Sequence, residues 1–343
     1  MKPSLFPRSG RLVAATLLLA AGCTAPAGAF DNGCGYSGIR GSAASDSAIC
    51  GVRIEWYPAF LSSTCTSFAG PVVYNIYRFV APDQYIPLRT CLPLAQTSLF
   101  LDGFAFLDEP MLAVGVEELG AVGSGVCGGG RETFSGAIHE LRTAFSGGKT
   151  PLARTGSASD FTATHAGDPA GAFEVLVRPA DAEFGGRWYW HRPDPYGPSE
   201  SSLRIVDPVA VAAGRPTRLQ FAQRVDTNGD FSGGVLEYST NGGATWFDIL
   251  SGNGAGVPAN ANRITKFGYR DRISADHALD GRLAWLGSYN DWPDTRVDLA
   301  DFAGTPVSFR FRYATEQDDP FGSHPFDGWD LLGIEAYQYE PCQ

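Results

Sequence analysis

Asp226, Asn228, Asp230 and Glu237 stand at positions 1, 3, 5 and 12 of one stretch, the spacing at which a calcium loop places its oxygen ligands. Phe231 occupies position 6, where the sharp turn asks for glycine, and the flanks read as strands, so a helix–loop–helix calcium motif is excluded. The same residues also suit a polar turn whose Asp and Asn cap their own backbone, with Glu237 solvated on an outer strand face. Both readings stay open on the sequence. A second acidic group, Glu316, Asp318 and Asp319 with Asp327 and Asp330, offers carboxylates of the same kind. Calcium is the one candidate ion, and no motif requires a cofactor.

Aromatic residues supply the other candidate chemistry. Trp188, Tyr189, Trp190 and Tyr196 cluster with His191 and Arg192, and Trp285, Tyr289 and Trp292 form a second group. An indole beside Asp and Asn is the material of a sugar-binding platform, because a pyranose stacks its apolar face on the ring. Trp is also a core residue, and burial is the competing reading for each cluster. The sugar-facing candidates are Trp188, Trp190, Tyr196, Trp285 and Trp292. Catalytic signatures are missing: the five histidines show no His-Glu-x-x-His, and there is no Gly-x-Ser-x-Gly elbow or phosphate loop. The expectation is a chain that is not an enzyme, with a hydrolase of unrecognised site as the remaining alternative.

The elements that must position these residues are strands. With 42 Gly, 23 Pro and only 18% charged residues, the composition favours short strands joined by turns. Val52, Ile54 and Trp56 alternate with Arg53 and Glu55 ahead of Pro58, and Tyr74 and Ile76 share a face. Leu219 and Phe221 do the same farther on. From Val235 the alternation of Val235, Glu237 and Ser239 against Leu236, Tyr238 and Thr240 predicts a strand with one buried face. Asn241-Gly242-Gly243 then supplies hairpin turn chemistry, and a Gly/Asn-rich excursion follows from Ser251 to about Lys266. Residues 144–152 have the Gly, Ser and Pro content of a linker.

Residues 1–29 read as a signal peptide: Lys2, Arg8 and Arg11, an apolar run from Leu12 to Ala21, and Ala27-Gly28-Ala29. Residues 30–45 read as an extended leader. Without the three signal-peptide bases the chain carries 23 basic against 37 acidic residues, a charge of −14, which leaves no basic footprint for nucleic acid. Cys34, Cys50, Cys65, Cys91, Cys127 and Cys342 are an even set with 15 connectivities, suited to disulfides in an oxidising compartment. No later stretch reaches the roughly 20 apolar residues of a membrane span.

Several motifs carry family resemblances. Trp56, the Tyr74-Asn-Ile-Tyr77-Arg78 run, Thr97 to Asp102 and Met111 to Glu117 resemble strands B, C, E and F of a fibronectin type III domain, over residues 46–143. Met111 and Leu112 stand where that family carries tyrosine. Cys127-Gly-Gly-Gly-Arg-Glu132 resembles a turn of a bacterial subgroup that also has a cysteine before strand C, here Cys65. Gly233 to Ser239, Gly242 to Trp246, Val297 to Gly304, Phe309 to Arg312 and Gly328-Trp329 resemble landmarks of the jelly-roll module of immune inhibitor A-type metallopeptidases, distantly like MAM domains, over residues 153–343. Ser232 and Leu332-Gly333 replace acids usual in that module. The resemblances imply an all-β chain, a fibronectin III-like sandwich followed by a jelly-roll sandwich. They imply a secreted or periplasmic binding or adhesive protein that engages protein or glycan.

Leu19-Ala20-Ala21-Gly22-Cys23 also resembles a bacterial lipobox, with Ala20 where leucine is usual, so an outer-membrane lipoprotein is the alternative location. Cell fractionation of a Cys23→Ser variant separates the two: a lipidated protein moves from membrane to soluble fraction, and a simply secreted one stays where it was.

Overall fold

In the computed structural model the described residues are 39–44, 51–59, 71–80, 84–102, 111–119, 125–127, 132–134, 139–140, 149–153, 155–177, 187–195, 197–227, 229–289, 291–316 and 326–339. Among them the chain is all-β, with short 3-10 turns and no α-helix. No helix among them is long and apolar enough to cross a membrane. The expected signal peptide, Cys23, Cys34, Cys50, Cys65, Cys342, Tyr196 and Asn228 lie outside the described residues.

The first eight strands are β1 (Ile39–Ala44), β2 (Gly51–Trp56), β3 (Val72–Val80), β4 (Gln84–Pro93), β5 (Ser98–Asp102), β6 (Met111–Glu118), β7 (Glu132–Phe134) and β8 (His139–Glu140). They make two antiparallel sheets, β1-β2-β5 and β4-β3-β6-β7, with β8 beside β6. Alternation sends Ile54, Trp56 and Leu101 from one sheet against Tyr74, Ile76, Leu112 and Val114 from the other. Trp56 meets Tyr74 edge-on at 5.7 Å, and the Tyr74 hydroxyl accepts the Ala59 N–H at 2.7 Å. β3 is buried along its whole length, so its other face also needs partners. Asn75 Nδ2 donates to Glu117 and to Glu132, each at 2.8 Å, and the Tyr77 hydroxyl donates to Glu132. The Cys91–Cys127 disulfide lies over this network, and the Cys127 N–H donates to Glu117 at 3.0 Å. A bridge across 36 residues contributes about 4 kcal/mol in the chain-entropy account.

The next strands are β9 (Lys149–Pro151), β10 (Phe161–Gly167), β11 (Glu174–Val177), β12 (Trp188–Asp194), β13 (Ser199–Ile205), β14 (Val209–Ala210), β15 (Thr217–Asp226) and β16 (Ser232–Ser239). After them come β17 (Phe247–Asp248), β18 (Ile264–Lys266), β19 (Asp271–Arg272), β20 (Leu283–Ala284), β21 (Ser288–Tyr289), β22 (Asp294–Asp298), β23 (Pro306–Thr315) and β24 (Phe326–Tyr339). A six-stranded sheet runs β10-β13-β23-β16-β17 with β14 beside β23. An eight-stranded sheet runs β11-β12-β24-β15-β22-β18, with β21 beside β15 and β9 beside β24. Phe221, Leu219, Trp329 and Leu331 of the larger sheet face Leu236, Phe309, Phe311 and Tyr313 of the smaller in one core. Strand β18 lies against β3 of the first sandwich.

Three local features depart from the sequence expectation. β1 falls within the stretch expected to be a leader, where it pairs with β2. β9 falls within the expected linker, where it pairs with Tyr337–Tyr339, and the Lys149 ammonium sits 4.3 Å above the Tyr337 ring. β16 is buried on both faces rather than one.

The cause is the segment 251–286, in which the excursion (Ser251 to about Lys266) runs on into a wall of the sandwich rather than a surface loop. It sends Val257, Ile264, Tyr269, Ile273, Leu279 and Trp285 into the core. Arg263, fully buried, pins its start: the guanidinium donates to Ile249 O, to Pro258 O at 2.8 Å and to Asp301 at 3.0 Å, and lies over the Phe302 ring. Tyr269 fills a gap in the ladder. β16 pairs with β17 at Tyr238 and with Trp285 at Gly234, and between them the Tyr269 hydroxyl accepts the Leu236 N–H at 2.9 Å and donates to Leu236 O at 3.2 Å. A buried strand edge cannot leave such an amide unpaired without cost. Tyr269→Phe is therefore expected to lower stability by about 2 kcal/mol in chemical denaturation, with faster hydrogen exchange at the Leu236 amide.

Candidate functional site

The outer face of the eight-stranded sheet carries one polar rung across four strands. In register, Glu174 of β11 pairs with His191 of β12, His191 with Asp330 of β24, and Asp330 with Arg224 of β15. The period of two explains why these residues face out: Trp190, Phe221, Val225, Trp329 and Leu331 on the same strands belong to the core. His191 Nδ1 is 2.6 Å from Asp330 Oδ1. Arg224 Nε donates to Asp330 Oδ2 at 2.7 Å, and its Nη1 reaches Asp327 at 3.1 Å. Burial alone would lower the Arg224 pKa, but Asp330 and then Asp327 carry it above the ordinary value. A carboxylate only accepts, so the His191 Nδ1–H donates to Asp330 and the ring is fixed in orientation. Both Asp330 oxygens are engaged, Oδ1 by His191 and Oδ2 by Arg224.

Two aromatic rings border the rung. Tyr189 stands two residues before His191 on the same face, and Trp292 comes from the turn between β21 and β22. Their centroids are 5.7 Å apart with planes at 83°, and the Arg224 guanidinium lies 6.0 Å from the Trp292 ring centre. Both rings are partly buried.

The expected aromatic platform is thereby redistributed. Trp292 is at the site. Trp285 and Trp190 are buried core residues: Trp285 is fully enclosed, donates Nε1–H to Phe267 O at 3.1 Å and packs on Tyr269 and Phe221. Trp188 packs against the same core, edge-on to Phe161 at 6.2 Å. Strand alternation divides the expected Trp188 to His191 cluster into an inward pair, Trp188 and Trp190, and an outward pair, Tyr189 and His191. That alternation was the available signal. Asp330 and Arg224 could be joined to His191 only through the register of three strands distant in sequence.

No family model matches the chain, and no curated protein matches it. Solved structures similar to it include carbohydrate-binding modules from the beta-sandwich superfamily, at 11% identity and a TM-score of 0.29, covering 84% of this chain and 92% of that one. A CBM22 tandem domain from Paenibacillus barcinonensis shows 10% identity and a TM-score of 0.27, covering 80% and 75%. A protein from a xyloglucan utilization locus in Bacteroides uniformis shows 10% identity and a TM-score of 0.25, covering 87% and 98%.

The expected cation loop does not assemble. Asp226 ends β15 in the eight-stranded sheet, where its Oδ2 accepts the Asp327 N–H at 3.3 Å, whereas Glu237 lies within β16 of the other sheet. Asp230 is exposed. Glu237 is neither solvated nor free for a metal: Arg282 reaches it at 2.5 Å, Arg310 at 2.6 Å and Arg312 at 3.5 Å, beneath the wall formed by residues 251–286. Three guanidinium groups around one carboxylate repel a cation. No group of three His, Cys, Asp or Glu that could hold a metal occurs among the described residues. In the second acidic group, Asp330 and Asp327 both pair with Arg224.

Burial would raise the Glu237 pKa, but Arg282 and Arg310 outweigh it and hold it below the ordinary glutamate value. A depressed folded-state pKa contributes stability that is present above the unfolded value and lost as pH falls through the folded one. Glu237→Gln is expected to cost about 3 kcal/mol near neutral pH, the scale for removing one partner of a buried ion pair. In denaturation series at decreasing pH, the gap between variant and wild type should close below the ordinary glutamate range.

Proposed function

We propose that this is an exported, non-catalytic binding protein whose second sandwich engages glycan on the outer face of its eight-stranded sheet. One observation carries the reading: the rung Glu174–His191–Asp330–Arg224, with Tyr189 and Trp292 on its border. Sugars offer hydroxyls and a patch of apolar C–H, and the face presents an oriented imidazole at His191, spare N–H groups on Arg224 and two aromatic rings. Polar side chains held by one another, rather than by water, lose little freedom when a ligand arrives. A protein partner would favour an apolar anchor at the centre of the patch, and charged groups occupy that place here.

A binding rather than catalytic role is supported by the sequence, which carries no His-Glu-x-x-His, Gly-x-Ser-x-Gly or phosphate-loop motif. Export is supported by the signal-type N-terminal stretch together with the Cys91–Cys127 bridge. The fibronectin III-like reading of the first unit is supported by the order β1-β2-β5 against β4-β3-β6-β7, and the jelly-roll reading of the second by its two antiparallel sheets over one core.

Glycan-array screening followed by calorimetry tests the proposal. Trp292→Ala should weaken glycan binding about tenfold, the equivalent of an aromatic contact of about 1.4 kcal/mol, with the melting temperature little changed. Binding that survives at wild-type affinity in both Trp292→Ala and Tyr189→Ala sinks this placement of the site.

A further inference from the structure

The proposed face also limits the form of glycan it can take. A crystalline polysaccharide surface presents its apolar sugar faces in one plane, and rings that grip it must be nearly coplanar. The Trp292 and Tyr189 planes stand at 83° with centroids 5.7 Å apart, so the two rings cannot lie on such a surface together. Rings at right angles suit one free chain instead, a pyranose stacking on one ring with the other against its edge. Charge narrows the choice further. The Arg224 charge is shared by Asp330 and Asp327, Glu174 is exposed beside His191 in register, and Asp226 stands two residues from Arg224 on the same face. Carboxylates outnumber guanidinium groups along the rung, and a uronate or sulfate would meet like charge.

We infer that the site takes a single soluble chain of uncharged sugars and excludes both crystalline surfaces and acidic polysaccharides. This rests on the glycan reading above, and the test separates the two. Wild type, Trp292→Ala and the double variant Glu174→Gln/Asp327→Asn are assayed against soluble cello-, xylo- and manno-oligosaccharides, crystalline cellulose and chitin powders, and polygalacturonate. The expected result is binding to at least one neutral oligosaccharide, weakened about tenfold in Trp292→Ala, with neither powder nor polygalacturonate retained. The double variant should bind polygalacturonate at least threefold better than wild type at low salt, an effect that 0.5 M salt erases. Retention of a powder or of polygalacturonate by wild type, abolished in Trp292→Ala, overturns the inference and leaves the glycan site standing. Absence of binding to every glycan overturns both. His191→Gln, which leaves the aromatic corner intact, provides a second probe of the oligosaccharide site if Trp292→Ala fails to fold, and unchanged oligosaccharide affinity in it overturns the assignment of the chain to this corner.

Discussion

An unpaired donor in a core costs free energy, and the second sandwich is built around the placement of the Trp329 indole N–H. Trp329 donates Nε1–H to Gln223 Oε1 at 2.8 Å, and Gln223 Nε2 in turn donates to Thr295 at 2.7 Å. The chain of bonds crosses β24, β15 and β22 inside the core, where an unpaired donor would cost free energy. Around the ring sit Trp285 and Phe311 at 5.8 Å, Tyr313 at 6.1 Å and Phe173 at 6.4 Å. A side chain at Gly234 would strike the Trp329 ring within 2.5 Å, so the second of the paired glycines is a condition of this packing. With Trp329 and Gln223 fixed inward, Asp330 and Arg224 are fixed outward as neighbours. The polar rung is thus a by-product of core register.

Arginine does much of the fastening in an acidic chain. Arg192 is fully buried, donating to Pro193 O and to Ser199 Oγ at 2.5 Å across the sandwich, with the Tyr313 ring 4.5 Å from its guanidinium. Burial draws its pKa down to about 10, which still leaves it charged at neutral pH. Arg263 and Arg282 bind the segment 251–286 to the sheets by the same planar, multiply donating geometry.

How much of this was legible depended on whether the information was local. The alternation from Val235 to Thr240 is a local property, and it foretold the strand. Leu219 and Phe221 likewise foretold theirs. The covering of β16 on its second face was not local, because the residues that cover it, Tyr269, Ile273 and Arg282, come from residues 267–286, which follow the Gly/Asn-rich excursion and lie far from β16 in sequence. For the same reason Glu237 read as solvated or as a calcium ligand, since its arginines arrive from β23 and from that segment. The candidate site was legible by half: Trp292 belongs to the aromatic group with Trp285 and Tyr289 that the sequence shows, while the aromatic count around Trp188 hid the division of its faces.

The wall built from residues 251–286 alters which parts of this chain can vary over evolutionary time. A surface loop tolerates insertion and shortening because little depends on it. This one has the composition of a loop and the duties of a core: Leu279 and Trp285 are as enclosed as any residue in the sheets. Descendants could drift in length at the Asn241–Thr245 hairpin, yet would be held nearly fixed in length here. The least strand-like part of the sequence is thereby among the most constrained in length.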